Sequence, residues 1–188
     1  MAVAVLGTAA CGAGAQDRNQ LPITVEARSS DFDYRNSVLV FNDVTIVQGA
    51  TRITAERAQA SGLDFEDSSW EFSGSVQILM SDGSLASDAA RVRFAGGEIQ
   101  SATVTGVPAT FEQRRQAELT KGRANRIDYD LGRGTVELAG EAWLSDGRNE
   151  ITGATLVYST GSQRVISREK VTITISPRES PTEPKEPK

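Results

Sequence analysis

Three stretches of the chain repeat one pattern: "VLVFNDVTIVQG" (Val38–Gly49), "WEFSGSVQILMSDG" (Trp70–Gly83) and "VELAGEAWLSDG" (Val136–Gly147). Residues with turn character fall at Asn42, Gly74, Gly106 and Gly140, at intervals of 32, 32 and 34. Apolar residues alternate on either side: Val38, Val40 then Val44, Ile46; Trp70, Phe72 then Val76, Ile78; Val136, Leu138 then Ala142, Leu144. The positions between them are mostly Glu, Ser, Thr and Gln, with Leu39, Val47, Leu79 and Trp143 as exceptions. Period two marks strands with one buried face. Gly takes positive φ freely and Asn tolerates it, so a tight reversal or a bulge is expected at each marker. Pro108, just after Gly106, predicts a distorted copy there, because proline suits an edge or a bulge.

Second turns follow at Val47–Thr51, Ser81–Ser84 and Ser145–Arg148, and then returning strands "RITAERAQAS", "LASDAARVRF" and "EITGATLVYS". Each unit therefore reads as a strand-turn-strand-turn-strand meander of about 32 residues. Such units cannot bury their apolar faces alone and must stack, as an open sandwich, a barrel or a solenoid. No long segment has helical period, and the polar stretch 110–126 reads as a loop or short helical turn.

The totals narrow the function. With 38% apolar and 6% aromatic residues in 188, the chain has enough material for one domain with a core. Histidine is absent, which excludes a Ser-His-Asp triad, a Cys-His pair and a histidine-bound zinc. The net charge of −5 and scattered Arg and Lys argue against a nucleic-acid surface. Asp31, Asp33, Asp64, Asp128 and Asp130 are the acidic pairs a hydrolase would need, but their recurrence beside the strands reads as solvated positions. The "SDG" turns offer too few oxygens for calcium. No cofactor, no metal and no enzymatic activity are expected.

The ends read differently. Residues 1–15 are small and apolar and close on Ala13-Gly14-Ala15, a signal-peptide pattern with cleavage before Gln16. No Lys or Arg precedes the apolar run, and Cys11 after "TAA" offers lipidation as the alternative. Either way the chain reads as exported. One domain is expected over 16–175, followed by a disordered Pro-rich, charged tail over 176–188.

The order of "LPITVEA", "QGATRITAE", "GVPATFEQ" and "GRANRIDYD" from Leu21 to Ile175 resembles the OstA-like (LptA) family of periplasmic lipopolysaccharide-transport proteins. The resemblance implies an all-β fold: an open, twisted antiparallel β-jellyroll, folded like a taco around an apolar groove that holds lipid A acyl chains. It also implies location in the periplasm and head-to-tail homo-oligomers joined edge to edge. These bridge an LptC-like inner-membrane subunit to an LptD-like outer-membrane translocon. Residues 63–100 read as an additional meander relative to compact members. The groove is expected to be lined by Ile23, Val25, Val38, Val40, Val44, Ile46, Phe72, Phe111, Val136 and Leu138, with Trp70, Val76, Ile78 and Leu144 beside them. Ile23 and Phe111 stand at the family's lipid-contacting positions. Thr24 and Glu26 in "ITVEA", with Val171, Ile173 and Ile175 in "KVTITIS", are expected on exposed edge strands where another chain adds. An LptC-like subunit of the same pathway and a lipid-free β-scaffold are the competing readings.

Overall fold

The computed structural model describes residues 21–176 apart from 34, 37, 61–66 and 117. The expectations for residues 1–15, for Asp64 and for all but the first residue of the tail lie outside the described residues. The described chain is all β, in eleven strands. These are β1 (Thr24–Asp33), β2 (Val38–Gln48), β3 (Thr51–Ala60), β4 (Asp67–Leu79), β5 (Gly83–Ala95), β6 (Glu98–Arg115), β7 (Glu118–Asp130), β8 (Thr135–Ser145), β9 (Asn149–Ser159), β10 (Arg164–Ile166) and β11 (Val171–Ile175). Each strand of the series β1 to β10 pairs antiparallel with the next, while β11 pairs with the other half of β9. Residues 63–100 supply β4 and β5 at the middle of this order.

The repeat of about 32 residues is a pair of long strands, which corrects the three-strand meander. Asn42, Gly74, Gly106 and Gly140 reverse nothing; β2, β4, β6 and β8 run straight through them. What sits there is a bulge. Ladder register shifts on both sides of β4 at Gly74-Ser75, of β6 between Thr105 and Ala109, and of β8 at Gly140-Glu141. Gly74 and Ser75 have φ of 79° and 48°, and Gly140 and Glu141 have 77° and 53°. In β2 the left-handed residue is Asp43, at 47°, and not Asn42, whose amide instead donates to Ser29 Oγ. In β6 the distortion expected at Pro108 is present, with a cis Val107–Pro108 bond.

The bulges align across the sheet into a crease, since bulges locally bend and twist a strand. Phe111 pairs across the ladder with Gly122, seven residues from Tyr129 along β7. In a straight strand those seven residues would span roughly 23 Å. The Phe111 and Tyr129 rings are nevertheless 6.0 Å apart, edge to face, and Phe111 lies 6.2 Å from Tyr158. The sheet is therefore folded over on itself along the crease, as two layers with one shared core.

A continuous row crosses each layer. In the lower layer, partners run Val25, Ile46, Ile53, Ile78, Leu85, Phe111, Gly122, Leu144, Ile151 and Ile173. In the upper layer they run Phe32, Leu39, Ala60, Trp70, Val92, Ala102, Tyr129, Val136, Tyr158 and Val165. Gly122 allows the layers to meet, because a Cβ there would lie 2.7 Å from Leu138 Cδ2.

In the stretch 110–126, expected as a loop or short helical turn, the described residues form the end of β6 and most of β7, with Gln116 in the turn between them. Its alternation was hidden because several inward positions hold Gln113, Thr120 and Gly122 in place of large apolar side chains.

Candidate functional site

The site is the space between the layers. Of the residues expected to line it, Val44, Ile46, Phe72, Phe111, Val136 and Leu138 are buried there, together with Trp70, Val76, Ile78 and Leu144. Val25 and Ile23 are half-buried and pack against the same core from its β1 side. Val38 and Val40 are placed differently. They lie outside, and Leu39 and Phe41 are the buried pair. The reason is the bulge: a single irregular residue at Asp43 shifts the alternation by one, and a one-residue slip moves every side chain to the opposite face. In β4 and β8 two irregular residues restore the parity, so Trp70, Phe72, Val76 and Ile78 keep even spacing throughout.

Sequence reasoning also missed the inward residues of the returning strands, among them Ile53, Leu85, Phe94, Ile127, Tyr129, Leu156 and Tyr158. Their short alternations were the available signal.

The layers meet along the rim opposite the crease through side chains remote in sequence. Gln48 Nε2 donates to Gly97 O at 2.7 Å, Arg115 Nη1 donates to Thr160 O and Gly161 O at 2.8 and 2.6 Å, and Gln163 Nε2 donates to Glu118 Oε2 at 2.8 Å. At the β2–β5 end the interior is filled by aromatic rings: Phe41 stacks on Trp70 at 5.7 Å, with Phe72 and Phe94 at 6.2 and 6.4 Å from the same indole.

The other end is open. A cavity of about 670 Å³ enters between Thr120, Leu144 and Ile151 of the lower layer and Tyr158 and Val165 near the upper. Its floor is largely apolar and its mouth carries Glu118, Lys121, Asp146, Arg148, Asn149 and Gln163. That volume suits the end of an acyl chain or a small amphiphile better than a whole multi-acyl lipid.

Three of the acidic residues have other partners. Asp33 accepts from the Arg35 and Asn36 amides and the Asn36 side chain, which hold its carboxyl below the usual carboxylate range. Burial pushes the Asp128 carboxyl up, but hydrogen bonds from Arg126 and Thr103 outweigh it and hold the group below its ordinary value. Asp130 accepts from the Arg133 amide within a turn. No group of three or more His, Cys, Asp or Glu suited to a metal occurs among the described residues.

The expected edge strands are the outer strands. Among the described residues β1, with Thr24 and Glu26 exposed, pairs only with β2, and β11 pairs only with β9. On β11, Val171 is half-buried, while Ile173 and Ile175 are 56% and 73% exposed.

Comparison with known proteins gives consistent matches. The family of the LptA/(LptD N-terminal domain) LPS transport protein matches residues 57–164. The lipopolysaccharide export system protein LptA of Haemophilus influenzae is 25% identical over 167 residues, covering 88% of this chain and 80% of its own. The crystal structure of LptH, the LptA-homologous periplasmic component of the lipopolysaccharide transport device from Pseudomonas aeruginosa, is 22% identical. It covers 84% of this chain and 96% of its own, with a TM-score of 0.44. With more than half its length matched by the family model, the chain belongs to the family of the LptA/(LptD N-terminal domain) LPS transport proteins.

Proposed function

We propose that the protein is a periplasmic, non-enzymatic carrier that holds lipopolysaccharide by its acyl chains between the two layers and bridges the inner- and outer-membrane machinery of its transport. The single observation that carries this reading is a folded sheet of this family whose apolar interior opens at one end into a cavity of about 670 Å³. Each acyl CH₂ removed from water contributes about 0.8 kcal/mol, so transport needs no bond made or broken in this chain.

Deeper binding requires the layers to part. The crease is the hinge for this movement, and the Gln48–Gly97, Arg115–Thr160 and Gln163–Glu118 contacts are what must release. Among the described residues β1 at one end and β11 with β10 at the other each have a single neighbour. Strand addition there supports a head-to-tail homo-oligomer and docking to LptC-like and LptD-like partners.

The test is photo-crosslinking in cells from a light-activated residue at Ile151 in the cavity, at Phe111 deeper in, at Ile23 on the half-buried β1 side, and at Val107 as an outside control, 92% exposed. Lipopolysaccharide adducts at Ile151 and at Phe111 or Ile23, absent at Val107, are expected. The dense aromatic packing at the β2–β5 end favours a lipid-free scaffold as second reading. Adducts to protein alone, or equal lipid adducts at all four positions, decide for it.

A further inference from the structure

Beside Phe111 the interior stops being apolar. Gln113, two residues along β6 and 5% exposed, donates from Nε2 to Asp82 Oδ2 at 3.2 Å. That bond sets the amide's orientation, because the flipped amide would turn its oxygen toward the carboxylate. Gln113 Oε1 is then buried with no donor among the described residues. Buried amide oxygens are nearly always satisfied, and an exception calls for a reason. Directly across the ladder stands Thr120, also buried, whose Oγ1 is 3.4 Å from Tyr158 Oη. In that pair one hydroxyl proton is used and the other is uncommitted. Thr120 and Tyr158 both line the open cavity.

The site thus offers one acceptor in need of a donor and one hydroxyl donor in need of an acceptor, with the hydroxyls lining the open cavity and Gln113 across the ladder from Thr120. We infer that Gln113, Thr120 and Tyr158 form a subsite for the secondary amide that joins an acyl chain to its polar head, with the amide N–H on Gln113 Oε1 and its carbonyl on the Thr120–Tyr158 hydroxyls. A secondary amide carries both complements, an ester only the acceptor, and a hydrocarbon neither. A free carboxylate is disfavoured by Asp82 beside Gln113 and by Glu118 and Asp146 at the mouth. The inference rests on the acyl-chain reading above and adds which chemical linkage is recognised.

The experiment titrates the purified protein with N-tetradecanoyl-glucosamine and with its N-methyl counterpart, which keeps the chain and carbonyl but lacks the N–H. The wild type is expected to prefer the secondary amide by about tenfold, the worth of one buried hydrogen bond. Gln113→Leu should bring the ratio close to one while the N-methyl probe binds as before. Thr120→Val, which keeps the side chain's shape, should weaken both probes several-fold through the shared carbonyl. It serves as the second variant if Gln113→Leu melts early by circular dichroism. Equal wild-type affinity for the two probes overturns the subsite and leaves the acyl-chain reading intact, as do ratios and affinities unmoved in both variants. If neither probe binds the wild type, both readings fall.

Discussion

The two ends of the interior are built from the same repeat and filled differently. At the β2–β5 end, Phe41, Trp70, Phe72 and Phe94 close the space with stacked and edge-on rings. At the β7–β10 end the equivalent space holds Thr120, Leu144, Ile151 and Tyr158 around a cavity, with Gln113 across the ladder from Thr120. One repeat serves as the plug and its relative serves as the mouth. In a folded sheet, the size of the inward side chains decides which end is structural and which can take a ligand.

The sharpest way to break this contrast is Trp70→Ala. The indole is fully buried against three rings, so stability to urea should fall by about 3–5 kcal/mol. A loss under about 1 kcal/mol would mean that the β2–β5 end is not the plug. Gly122→Ala tests the contact between layers. Its added Cβ would press on Leu138 Cδ2 at 2.7 Å and Leu144 Cδ1 at 3.3 Å, with a cost of about 1–3 kcal/mol by thermal or chemical unfolding. An unchanged midpoint would show that the Leu138 and Leu144 side chains yield at no cost and that the layers are loosely packed there.

Ile151→Trp works at the other end. It fills the cavity, so unfolding should shift by less than about 1 kcal/mol while acyl-amide affinity drops at least tenfold in titration. The reverse outcome, a large stability loss with binding retained, would assign the mouth a structural role.

The smallest effect is on pH. Asp128 titrates below its ordinary 3.8 in the folded chain. A depressed carboxylate stabilises the fold above the unfolded value, and that contribution disappears as pH falls through the folded value. Stability should therefore decline from near pH 4 downward, and Asp128→Asn should flatten that decline. Parallel profiles for the two proteins would remove the Arg126–Asp128–Thr103 contacts from the acid limb.

Much of this was legible in the chain. The even spacing of Trp70, Phe72, Val76 and Ile78, and of Val136, Leu138, Ala142 and Leu144, gave both the strands and their buried face. The edge positions of "ITVEA" and "KVTITIS" were legible from their alternation near the ends of the domain. Val38 and Val40 were not, because Asn42-Asp43 looks in sequence like Gly74-Ser75 but holds one left-handed residue where the other holds two. Stretch 110–126 was hidden by its polar and small inward residues, Gln113 and Thr120 facing each other across the ladder and Gly122 two residues on.

By itself the sequence determined the β class, the repeat interval and most inward faces, since alternation and turn chemistry act between residues close along the chain. Only the tertiary structure decided that the repeat markers are a crease and not reversals, that Phe111 meets Tyr129 and Tyr158, and that one end of the interior is closed and the other open. Those outcomes depend on how bulges on neighbouring strands align and on which side chains then face each other across the fold, and no local pattern encodes such distances.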